Sequence, residues 1–102
     1  MPHPEQKWRG GARIGSMNAT WPFAQLRLTP EHLVLQVVFL GTYVFRRQQV
    51  TSVEPYGLIP FVGKGVRIHH RVDAYPKKIV FWYFCVNPQP IAERIRQYGY
   101  GT

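Results

Sequence analysis

From residue 12 to residue 86, β-branched and aromatic residues come in short runs separated by Gly, Pro, Asn and Thr, and no helical run interrupts them. Seven runs can be placed, at residues 12–17, 23–28, 33–39, 42–46, 50–54, 65–72 and 78–86. Within the second, Ala24, Leu26 and Leu28 share one face while Gln25 and Arg27 share the other, the two-residue period of a half-buried strand. Seven strands exceed the usual single sheet. The expected fold is therefore mainly β, a barrel or sandwich of about seven antiparallel strands.

The last run is apolar on both faces, with Ile79, Phe81, Tyr83 and Cys85 on one side and Val80, Trp82, Phe84 and Val86 on the other, so something should cover its outer face. A helix follows directly. Asn87 offers an N-cap and Pro88 suits the first helical position, where its missing amide hydrogen costs nothing. Ile91, Ile95 and Tyr98, with Ala92 beside them, make one apolar stripe, Glu93, Arg94, Arg96 and Gln97 face water, and Gly99 supplies the stop. This stripe is expected to plug the open end or flank of the β structure.

A chain of 102 residues suits one domain. Residues 1–11 are polar, hold two prolines and end in Gly10-Gly11, which predicts a flexible N-terminal arm anchored only by Trp8; residues 12–102 are read as the single domain. With 45% hydrophobic and 18% charged residues the composition is that of a folded globule, and a formal charge of +8 favours an anionic partner. The single Cys85 excludes an internal disulfide. No run approaches the roughly 18 apolar residues of a membrane-spanning helix, and the N-terminus does not read as a signal peptide. The expected setting is cytoplasmic, with a peripheral position at the inner membrane face as its variant.

Beyond the strand count and terminal helix, the phrase from Tyr43 through Phe45-Arg46-Arg47-Gln48-Gln49-Val50 to Glu54 resembles the fourth strand, link and fifth strand of the pleckstrin-homology-like superfamily, particularly bacterial pleckstrin-homology and GRAM-like domains. Gly63-Lys64-Gly65-Val66-Arg67-Ile68, followed by Ile79-Val80-Phe81-Trp82, is similar to the sixth and seventh strands of such domains. The resemblance implies a helix-capped barrel and permits lipid binding. It departs from the phosphoinositide pattern, because Arg13 and Arg27 fit two basic places while Gln25 stands where the middle cation belongs, and the terminal helix has no Trp.

The densest cluster of cations runs from Lys64 to Lys78. In the register that buries Val66, Ile68, His70 and Val72, the residues Arg67, His69 and Arg71 project from the opposite face, and with Lys64, Lys77 and Lys78 they make a candidate anion- or partner-binding surface. An ordinary solvated strand face is the competing explanation. Tyr56, Leu58, Ile59 and Phe61 form a candidate apolar contact loop.

Other chemistry has less to recommend it. Gly63-Lys64-Gly65 lacks the full phosphate-loop pattern. His69 and His70 point to opposite faces of a strand and Cys85 has no partner at zinc spacing, so neither a metal nor another cofactor is expected, and His70 reads as a partly buried, hydrogen-bonded histidine. Glu5, Glu31, Glu54, Asp73 and Glu93 are scattered, leaving no catalytic candidate. The expected function is a noncatalytic interaction module with no small-molecule substrate. It would dock to a protein, to itself through strand edges, or to an anionic lipid surface. The alternative is a nucleic-acid-binding protein, using Arg46 and Arg47 among Tyr43, Phe45, Tyr56 and Phe61.

Overall fold

The computed structural model describes residues 4–56, 65–83 and 89–101. Seven antiparallel strands make one sheet: β1 (Gln6–Ile14), β2 (Met17–Leu28), β3 (Leu33–Val37), β4 (Gly41–Phe45), β5 (Val50–Tyr56), β6 (Gly65–His70) and β7 (Ile79–Trp82), followed by helix α1 (Gln89–Gln97). Their order in space is β4-β3-β2-β1-β7-β6-β5, so the first and last strands in sequence join a four-stranded half to a three-stranded half, and the sheet curls into a half-barrel. The mainly β, helix-capped architecture expected from the punctuated runs is the one observed.

The predicted N-terminal arm is the main correction. β1 begins at Gln6 and pairs with β2 from Gln6 opposite Leu28 to Gly10 opposite Ala24. Lys7 and Arg9 are exposed while Trp8 packs against the core, a period-two pattern that two charges and a single large apolar residue had disguised. Gly10 and Gly11 do not release a loose tail. A Cβ on Gly10 would lie 1.9 Å from the Trp82 carbonyl oxygen and one on Gly11 2.5 Å from that of Ala19, so glycine is what lets β1 pass this close to its neighbours. The register slips between Gly10 and Ala12 at this point.

Several strands end earlier than expected, and β3 and β6 show why. β3 stops at Val37, and Val38-Phe39 form the turn into β4, closed by the Leu40 amide donating to the Val37 carbonyl at 3.1 Å. β6 stops at His70, whose ring explains the break. The Val72 amide donates to His70 Nδ1 at 3.0 Å, so Nε2 carries the hydrogen and donates to the Pro76 carbonyl at 2.8 Å. The ring also lies 5.1 Å from that of Phe45, in accord with a partly buried, satisfied histidine.

The core gathers Leu26, Leu28, Leu33, Leu35, Phe45, Val53, Val66, Ile68, Ile79 and Phe81 on the inner side of the curl. A nine-residue helix would not hold its shape alone in water, so α1 depends on burying Ile91, Ala92, Ile95 and the following Tyr98, the expected stripe. Asn87 and Pro88, proposed as its start, lie outside the described residues. Gly99, at φ +97°, reverses the chain after the helix, and its amide donates to Arg96 O at 2.9 Å. Tyr100 consequently turns into the core, where its hydroxyl donates to the Thr29 carbonyl at 2.6 Å.

Candidate docking surfaces

The outer face of the three-stranded half carries the cations singled out in the sequence. Strand register aligns Glu54, Arg67, Val80 and Arg13 in one row across β5, β6, β7 and β1. Val80 is fully buried with an arginine on each side. Glu54 stands opposite Arg67, but its carboxylate meets His69 Nε2 at 2.7 Å instead. Arg67 is half-buried and its Nε, shielded from solvent, has no hydrogen-bond partner. Arg13 Nε donates to the Gly15 carbonyl at 3.1 Å.

One step along the strands, Tyr56 and Trp82 flank Gly65 in register, and their rings meet at 5.5 Å. Lys78 Nζ lies 5.4 Å from the centre of the Tyr56 ring, within cation–π range. The face therefore unites Arg67, Lys78 and Tyr56 with two residues that the sequence did not single out for it, Arg13 and Trp82. Arg13 joins the face through the pairing of β1 with β7, and Trp82 through the pairing of β7 with β6. Arg71 lies beyond the end of β6, its amide donating to Gln49 O at 2.9 Å, so the strand alternation that grouped it with Arg67 and His69 stops one residue short of it. Lys77 is exposed in the turn before β7. Lys64, Leu58, Ile59 and Phe61 lie outside the described residues.

A second surface, on the four-stranded half, was missed. Phe39 is fully exposed and sits at φ +67°, in the left-handed region that favours glycine. Beside it Phe23 and Val38, both about half exposed, line a groove of about 540 Å³ with Gln25, Gln36 and Thr42. Arg9 closes one side, donating to the Pro22 carbonyl at 3.1 Å and to Gln25 Oε1 at 3.2 Å. The available signal was the succession Val37-Val38-Phe39, since three adjacent apolar residues in one strand cannot all face the core.

Both sheet edges are guarded. On β4, the Val44 amide donates to the Tyr75 hydroxyl at 3.2 Å, and that hydroxyl faces the Val44 carbonyl at 3.4 Å. Arg46, two residues on, exchanges its amide and carbonyl with the Gln49 side chain and amide at 2.8 and 3.0 Å. By alternation Thr42 is the remaining outward residue of that strand. On the β5 edge, Arg96 reaches from α1 to the Val53 carbonyl at 2.7 Å, so this arginine is not the water-facing residue the helical pattern implied. Edge-to-edge pairing with another chain, attractive for a small β domain, would have to displace these groups.

Among the described residues no helix is long and apolar enough to cross a membrane. No protein-family model, curated protein or solved structure matches the chain.

Proposed function

We propose that this chain is a noncatalytic docking module that receives an anionic partner on the outer face of β5, β6 and β7. The observation carrying this reading is the Arg67 side chain, half-buried with its Nε unpartnered on a face that also carries Arg13, across Val80, and Lys78, while the face's carboxylate, Glu54, is engaged by His69. A shielded cation with an unmet donor gains most from a carboxylate, phosphate or sulfate that reaches it. The +8 charge would speed the approach of such a partner, an acidic protein face or a lipid headgroup layer. Seven strands and a terminal helix also support the pleckstrin-homology-like reading, which permits lipid binding. A nucleic-acid reading has the Tyr56–Trp82 ring pair in its favour, since bases stack on aromatic faces.

The test separates location from net charge. A variant with Arg13→Gln, Arg67→Gln and Lys78→Gln is compared on a sulfated-polysaccharide column with one carrying Arg46→Gln, Arg47→Gln and Arg94→Gln, which has lost equal charge from exposed sites elsewhere. The first should elute at clearly lower salt. Equal elution would show diffuse charge rather than a site. Competition by phosphatidylserine vesicles, an acidic polypeptide or oligouridylate then identifies the class of partner.

A further inference from the structure

We propose that the β3–β4 turn and the groove beside it form a self-recognition surface, occupied in solution by the same surface of a second copy of this chain. The turn is built at a cost. Phe39 sits at φ +67°, in the left-handed region that is disfavoured for a non-glycine residue. Its side chain is 100% exposed, so it recovers nothing by packing within the molecule. Glycine would make the same turn without strain. Six large apolar side chains are exposed among the described residues, and Phe23, Val38 and Phe39 meet on this one groove, with Trp21 two residues before Phe23.

The electrostatics of the groove select its occupant. The chain carries +8, so two copies repel as they approach. The groove holds one charge, that of Arg9, whose guanidinium already donates to Pro22 O and Gln25 Oε1. An anionic partner would find no free cation within it, whereas two copies meeting here bring together only one already hydrogen-bonded charge each. Shape agrees with charge. Phe39 projects beside the hollow lined by Phe23 and Val38, so a two-fold axis can bring each Phe39 into the hollow of the other copy, with Gln25, Gln36 and Thr42 at the polar margin.

The guarded edges at Val44 and Val53 favour a contact between faces over one between strand edges. Half- to fully-exposed aromatic side chains of this size cover on the order of 500 Å² per copy, which places the interface near the lower bound for specific association and implies a dimer of roughly micromolar or weaker affinity.

Sedimentation equilibrium of the full chain, from micromolar to millimolar concentration, tests this. A dimer that strengthens as salt screens the mutual charge is expected, the opposite of the salt response of anion docking on the β5–β7 face, so the two proposals fail separately. Phe39→Gly should weaken the dimer at least tenfold while leaving the unfolding temperature unchanged or higher, which excludes misfolding as the cause. Val38→Lys should weaken it as well by setting like charges face to face. Three results overturn the proposal: a wild-type chain that stays monomeric at millimolar concentration, a dimer insensitive to Phe39→Gly, or a monomer that pellets with phosphatidylcholine vesicles through Phe39, which would make a bilayer the occupant.

Discussion

The chain enters the left-handed region near two aromatic side chains, and treats them oppositely. After α1 the residue at positive φ is Gly99, and the aromatic that follows, Tyr100, is fully buried. Between β3 and β4 the residue at positive φ is itself the aromatic Phe39, and it stands fully in solvent. In the first turn the backbone is cheap to bend and the aromatic ring serves the core. In the second the backbone is strained and the ring serves nothing inside the molecule. The difference marks one turn as part of the folding machinery and the other as a candidate contact with something outside.

The contrast can be broken most directly at Tyr100. Tyr100→Ala empties a fully buried site and should cost about 3–5 kcal/mol in urea unfolding, whereas Phe39→Ala should cost nothing measurable; comparable losses would end the distinction. Alkaline pH probes the same ring more gently. Burial pushes the Tyr100 hydroxyl up from 10.0 to about 12, against the lowering pull of Arg47 and with a further rise from Glu31. Between those values the folded state holds a proton that the unfolded state has released. Stability is therefore complete below pH 10 and falls as pH rises toward about 12, by on the order of 2 kcal/mol. Tyr100→Phe should remove that component from the pH profile of the unfolding free energy.

Smaller effects test the backbone. Gly99→Ala places a Cβ at φ +97° and 2.8 Å from Arg47 Cδ. A loss of about 1–2 kcal/mol is expected, limited because the arginine can move. A neutral result would show that the chain reversal after α1 has another cause. Phe39→Gly should do the reverse and stabilise by about 1 kcal/mol, raising the thermal midpoint by roughly 4–8 °C. Destabilisation instead would show that the Phe39 ring supports the fold after all.

Much of the fold was readable because strands leave a local trace. Alternation in Phe23 to Leu28, the punctuated runs and the stripe of Ile91, Ile95 and Tyr98 each report burial through nearest neighbours in sequence. β1 escaped because alternation needs several apolar residues to be visible, and Gln6 to Gly11 offers only Trp8. Gly10-Gly11 was ambiguous for a deeper reason: glycine is equally suited to a loose tail and to a strand pressed against its neighbour, and the 1.9 Å approach of the Trp82 carbonyl to a Cβ on Gly10 exists only after β7 is in place.

The amino-acid sequence by itself determined the class of fold, the apolar stripe of the terminal helix, the positive charge and the strand bearing Arg67. The tertiary structure decided which residues share a surface. It set Arg13 across Val80 from Arg67 and Trp82 against Tyr56, gave Glu54 to His69, ended β6 before Arg71, and left Phe39 in water. The physical reason is one of range. Periodicity and composition record whether a side chain meets a core, whereas a docking surface is made by strands that are distant in sequence and meet only through the order and register of the sheet.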